Sequence, residues 1–165
     1  MIIRKFLLIT RLSVLSLLIL SNKVSAQTTT AYGSVTVQIV VQSSCSVAAN
    51  TLSFGNYSVA AVNTTTSLNV TCTNTTPYKV GLSAGTGSGA TVTTRKMTSG
   101  SKTLNYGLYQ DAARTIVWGD TKGTDTVNGI GTGRPQAITV YGNIPENQSA
   151  AAGSYVDTIT ATVYF

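Results

Sequence analysis

Two stretches of this chain alternate apolar and polar residues with a period of two. Val35, Val37, Ile39 and Val41 share one parity near the start, and Ile159, Ala161, Val163 and Phe165 share one at the end. Side chains along a strand point to opposite faces in turn, so each run needs one face buried and its backbone paired. The partner is either the strand's own domain or another chain. In the first case the molecule is a self-contained β-domain, and in the second it is a polymer subunit.

Between these runs the pattern predicts further short strands, and no long segment repeats apolar residues at helical spacing. The full set of expected strands is 34–42, 51–55, 66–73, 77–84, 90–97, 103–110, 115–118, 136–144 and 154–165. Turn-formers separate them at 74–77, 85–89, 99–102, 119–133 and 145–153. The stretches 63–66 and 85–94, rich in Thr, Ser, Gly and Ala, read as low-complexity loops or exposed edges. Many short strands in a Thr-, Val- and Tyr-rich chain predict an all-β fold, an immunoglobulin-like β-sandwich.

Residues 1–26 read as a cleaved secretory signal. Arg4, Lys5 and Arg11 form a basic start, 12–20 is apolar apart from two serines, and Val24-Ser25-Ala26 sets small residues before a cut after Ala26. The apolar run falls short of the ~20 residues that a membrane-spanning helix needs. Four of the eleven basic residues leave with it, so seven face five acids in the remaining 139 residues, a net charge of +2. Those seven are scattered, which argues against nucleic acid as a partner. Cys45 and Cys72 are the only cysteines, 27 positions apart in an exported chain, and a disulfide is the natural reading. A redox or metal role is weaker, because there is no Cys-x-x-Cys and no histidine.

The absence of histidine also removes the usual general base and the Ser/His and Cys/His nucleophiles. The acids are Asp111, Asp120, Asp125, Glu146 and Asp157. None has the context of a catalytic pair, and Asp157 reads as a solvent-facing or edge residue. Asp120 and Asp125 could offer oxygens to calcium, but the spacing fits no EF-hand. Gly129, Gly131 and Gly133 lack the following helix of a phosphate site. Eight tyrosines and Trp118 could stack on sugar, with core packing the simpler assignment. The expectation is no enzyme, with no catalytic, metal or cofactor residues and no small-molecule substrate.

The landmarks from Phe54 onward fall in a characteristic order. Phe54-Gly55-Asn56-Tyr57 precedes Ser67-Leu68-Asn69-Val70-Thr71-Cys72, then Pro77-Tyr78-Lys79-Val80-Gly81-Leu82-Ser83-Ala84-Gly85 and Arg95-Lys96-Met97. Leu104-Asn105-Tyr106-Gly107-Leu108-Tyr109, Trp118-Gly119-Asp120, Tyr141-Gly142-Asn143-Ile144-Pro145 and Gly153-Ser154-Tyr155-Val156-Asp157-Thr158-Ile159 follow. Over nearly all of 34–165 this resembles the spore coat protein U domain family, which includes major subunits of archaic, Csu-type chaperone-usher pili.

The resemblance implies an incomplete sandwich lacking its last strand. In such pilins a periplasmic chaperone lends a strand, an outer-membrane usher exchanges it, and the next subunit's N-terminal segment fills the gap. It also implies a homopolymer of identical or related subunits in a surface pilus that supports cell adhesion and biofilm formation. The expected division is 1–26 signal, 27–43 donor segment and 44–165 pilin domain. Val35, Val37, Ile39 and Val41 would be the donor residues, and nothing in 27–33 would serve better. Cys45 follows closely, so a dual role, with the later part of the strand packed at home, is the alternative. Ile159, Ala161, Val163 and Phe165 would form the strand that borders the gap and meets the chaperone. A monomeric coat-like or carbohydrate-binding β-domain is the competing reading.

Overall fold

The computed structural model describes residues 25–165; most of the expected signal, 1–24, lies outside the described residues. The chain divides at Gln38 into two units. Residues 25–38 carry no helix or strand, and the side chains of Val35 and Val37 are exposed. Ile39–Phe165 is the folded unit.

Eight strands build it in two sheets. They are β1 (Cys45–Ala49), β2 (Val62–Cys72), β3 (Pro77–Leu82), β4 (Arg95–Ser99), β5 (Lys102–Tyr109), β6 (Val127–Ile130), β7 (Gln136–Ile144) and β8 (Ala161–Tyr164). One sheet has the order β1-β2-β7-β5-β4 and the other β6-β3-β8, with every pairing antiparallel. Between them lie Leu68 and Val70 from β2, Val80 and Leu82 from β3, Leu104, Tyr106 and Leu108 from β5, and Val140 and Ile144 from β7. Each set follows the period of two that the sequence displays. This is an all-β, incomplete sandwich: the second sheet is two strands narrower, and its margin beside β8 is open.

Several elements differ from the pattern-based expectation. Of the two readings of Asn63–Thr66, loop or exposed edge, the loop is wrong: these residues lie in β2, paired with Val140–Asn143 of β7, and the β-branched threonines suit a strand. β1 escapes the pattern because its CSVAA segment offers small residues whose alternation is shallow. β6 lies inside an expected turn because of Gly129, yet a Cβ at Gly129 would strike the Tyr78 ring across the sheet. The glycine there makes room for a neighbour instead of bending the chain. Residues 51–55 form no strand, 90–94 is largely turn, and 115–118 contributes one bridge, Val117 to Tyr109. Residues 34–42 form no strand within this chain.

Cys45 and Cys72 are directly opposed in the β1–β2 register and are bridged, with Cα atoms 4.1 Å apart. The bridge ties the edge strand β1 into its sheet. On the loop-entropy argument, Cys45→Ser should lower the stability of the purified chain by about 3–4 kcal/mol, measured as a fall in the urea midpoint at unchanged slope.

Candidate functional site: an open groove beside the last strand

The final segment crosses from one sheet to the other. Val156 exchanges two backbone hydrogen bonds with Thr98 of β4, at 2.8 and 3.0 Å, and the Thr160 carbonyl then accepts from Ser83 N at 3.0 Å. From Ala161 onward the chain pairs with β3, Val163 opposite Val80. One side of this segment is thus satisfied. On the other, the backbone N–H and C=O of Asp157 and Ile159 have no partner among the described residues. That edge borders a groove.

The groove runs between the segment Ala49–Phe54 and the segment Tyr155–Ala161, with a volume of about 390 Å³. Its floor is the core itself: Leu68, Leu82, Leu108 and Val140. A second cavity of about 900 Å³ between 51–59 and 150–155 shares Thr51, Leu52, Phe54, Met97 and Tyr155 with it. Tyr155, Asp157 and Ile159 are half-buried in alternation with exposed Val156, Thr158 and Thr160, as expected of a segment that lines a core wall on one flank only, and Ala161–Tyr164 are all half-buried. At the other end β1 and β8 approach each other without pairing. The groove is therefore open beside Ala49–Phe54 and narrow toward Cys45.

Three polar side chains tie the surrounding elements together, Arg95 and Trp118 buried and Asp157 half-buried. The Arg95 guanidinium, 0% exposed, donates to the carbonyls of Ser83, Val92 and Leu82, each at 2.8 Å, and of Trp118 at 2.6 Å. Burial lowers its pKa, and Tyr106 and Asp157 oppose that shift electrostatically. An arginine stays protonated regardless. Trp118, also 0% exposed, donates its indole N–H to Val80 O at 2.8 Å. Asp157 accepts from Thr86 N at 2.7 Å, Thr86 Oγ1 at 2.8 Å, Thr158 N at 2.8 Å and Tyr106 Oη at 2.7 Å. Partial burial pulls its pKa upward, but these donors prevail and hold it below the ordinary carboxylate value. Burial foremost, then the bond to Asp157, pushes the Tyr106 phenol up, so it remains a donor. Gly85, at φ +90°, lies where a Cβ would collide with the Asp157 carboxylate.

Of the two readings of Asp157, solvent-facing or edge, the first is corrected: its backbone lies on the unpaired edge, and its half-buried carboxylate anchors the last segment. Trp118 is core and offers no sugar platform. The remaining carboxylates with hydrogen bonds serve local structure: Asp111 binds Thr115 and Ile116, Asp125 binds Thr121 N, and Asp120 accepts from Tyr164 Oη at 2.9 Å. Among the described residues no group of three or more His, Cys, Asp or Glu could hold a metal ion. Of the groove-strand residues, Ile159, Ala161 and Val163 pack against the core, whereas Phe165 is 59% exposed. Val35, Val37, Ile39 and Val41 are all exposed, from 74% at Val41 to 89% at Val37. Arg95 drew no attention as a site residue in the sequence. Its signal, an Arg-Lys pair at the start of a largely polar strand, reads as an ordinary solvated charge.

The fold and groove define a class: β-sandwich domains with a missing edge strand. The chain belongs to the Spore Coat Protein U domain family, whose model matches residues 29–162. It is 35% identical over 158 residues to Protein U of Myxococcus xanthus, covering 85% of this chain and 88% of that protein. It also superposes on a chain of the CsuC–CsuE chaperone–tip adhesion subunit pre-assembly complex from archaic chaperone-usher Csu pili of Acinetobacter baumannii. That match has a TM-score of 0.56 and 25% identity, and covers 76% of this chain and 40% of that one.

Arg95→Met should leave four carbonyls without donors, at a cost of about 1–3 kcal/mol for each that water cannot reach. Arg95→Lys should recover little of this in urea unfolding, since an ammonium cannot serve the same fork. The lowered Asp157 pKa stabilises the fold fully above the unfolded value of 3.8, and this contribution disappears as pH falls through the lower folded value. The gap in urea midpoint between wild type and Asp157→Asn, present near pH ~6, should therefore close in acid.

Proposed function

We propose that this chain is a structural subunit of a chaperone-usher surface pilus that polymerises by donor-strand complementation. The observation that carries the reading is the unpartnered edge at Asp157 and Ile159 beside a groove floored by the core. An extended segment laid there gains backbone pairing and buries alternate side chains, the strand-addition mode of recognition. Residues 27–43 are the donor segment and 44–165 the acceptor domain. Val35, Val37, Ile39 and Val41 span roughly 20 Å at 3.3 Å per residue, the same length as the Tyr155–Ala161 wall. Their burial would contribute about 6–12 kcal/mol before the ordering entropy is subtracted. Ile159, Ala161, Val163 and Phe165 form the strand that a periplasmic chaperone occupies before an outer-membrane usher exchanges it for the next copy. Such a head-to-tail contact does not close on itself and so builds a fibre.

Export to the cell surface accords with this role, with a signal removed after Ala26 and a mature fibre that supports adhesion and biofilm. The work is done by strand exchange, with no catalytic group, cofactor or small-molecule substrate.

A chain lacking residues 27–42 should rise sharply in melting temperature on addition of a peptide spanning 34–42, because a ligand that binds only the folded state stabilises it. A domain that melts at the same temperature with and without peptide would instead be a complete monomer of the coat or carbohydrate-binding kind. In the full chain, Val37→Asp and Ile39→Asp should abolish fibres on electron micrographs while leaving the acceptor able to bind wild-type peptide. Fibres at wild-type yield from both would remove these residues from the donor role.

A further inference from the structure

The proposed reading raises a competition that the fold must resolve. A donor segment tethered to its own domain by a short flexible linker would see its own groove at an effective concentration in the millimolar range, far above that of any second copy in dilute solution. Self-filling would then outrun polymerisation, unless the tether could not span the distance.

The tether in this chain is Gln42–Ser44, and it is held in place. Thr73, just past the end of β2, receives Ser44 N on its Oγ1 at 3.1 Å and donates its own N–H to Ser44 O at 2.9 Å. Its hydroxyl proton is shared between Gln42 O and Ser44 O, both at 3.3 Å. Thr76 Oγ1 lies 3.5 Å from Ser43 Oγ, and the Cys45–Cys72 bridge follows at once. Thr73 itself sits on a braced turn: Thr76 N bonds Thr73 O, and Thr75 N and Thr76 O bond Gly131. A Cβ at Gly131 would meet Thr73 O, so the brace is in close contact. This clamp lies at the Cys45 end of β1, whereas the groove opens at the Ala49 end, roughly 13 Å away along the strand. Entering its own groove would require residues 42–44 to reverse direction and surrender the clamp.

We infer that Thr73 is a positioning residue that holds the root of the donor strand in line with β1, denying the strand to its own groove and reserving it for a second copy of the chain. The inference rests on the donor-strand reading above.

The test refolds the full mature chain, disulfide intact, at ~1 μM, and separates monomer from polymer by size exclusion. Each monomer fraction is then melted with and without the 34–42 peptide. Wild type should give polymer and a peptide-responsive monomer. Thr73→Val, which keeps the shape but loses the hydroxyl, should raise the share of peptide-insensitive, self-filled monomer at least tenfold, and Thr73→Ser should behave as wild type. A four-glycine insertion between Gln42 and Ser43, ahead of β1 and its disulfide, should give self-filled monomer almost exclusively. Thr73→Val at wild-type proportions would overturn the role of the hydroxyl. An insertion mutant that still polymerises without self-filled monomer would overturn the clamp altogether, even if Thr73→Val failed to fold. A wild-type chain that neither polymerises nor responds to peptide would overturn the donor-strand reading itself.

Discussion

A strand edge that faces a core wall cannot be left to water without cost, and the rest of this structure is arranged around one such edge. Asp157 and Ile159 present unpaired backbone groups beside apolar side chains that are only half covered. Exposed edges are usually blunted by charge, proline or a bulge. Here the charge on the edge, Asp157, is taken up by Thr86 and Tyr106, the segment from Thr158 to Phe165 has no charged side chain and no proline, and the row Ile159, Ala161 and Val163 continues the core to the surface. An edge kept in this state is suited to receive a strand.

Keeping the groove open is a separate requirement, because apolar walls tend to collapse onto one another. The buried groups oppose that with directional bonds. Arg95 gathers four carbonyls from β3, its following loop, the approach to β4 and Trp118, and so links both sheets at one point. Asp157 fastens the last segment to the loop at Thr86 and to Tyr106 of the opposite sheet. The Arg95 bonds to Leu82 and Trp118 are buried, so an arrangement that broke them would strand a charged group without partners. Polar groups of this kind specify one arrangement of an otherwise forgiving apolar core.

The same economy accounts for the carboxylates. Asp111, Asp120, Asp125 and Asp157 accept hydrogen bonds from backbone amides, hydroxyls or a phenol. With function residing in strand exchange, the side chains that would carry chemistry in an enzyme shape loops and anchor strands instead.

Much of the architecture was legible in residue order. The period of two marks β3, β5 and β7 within a residue or two, the cysteine pair is evident in an exported chain, and Ile159, Ala161 and Val163 declare a buried face. These are local properties, set by the geometry of one strand. The elements that escaped, β1 and β6, are those whose small residues or glycine answer to a neighbour across the sheet, as Gly129 does to Tyr78. Asp157 and Arg95 were opaque for the same reason: their partners lie 71 and 51 positions away in one case, and 12, 13 and 23 in the other. That strands would form, and which of their faces would be apolar, follows from residue order, because alternation is a property of the chain. Which edge stays open follows from how the sheets assemble, because an edge is defined by the strand that is missing beside it.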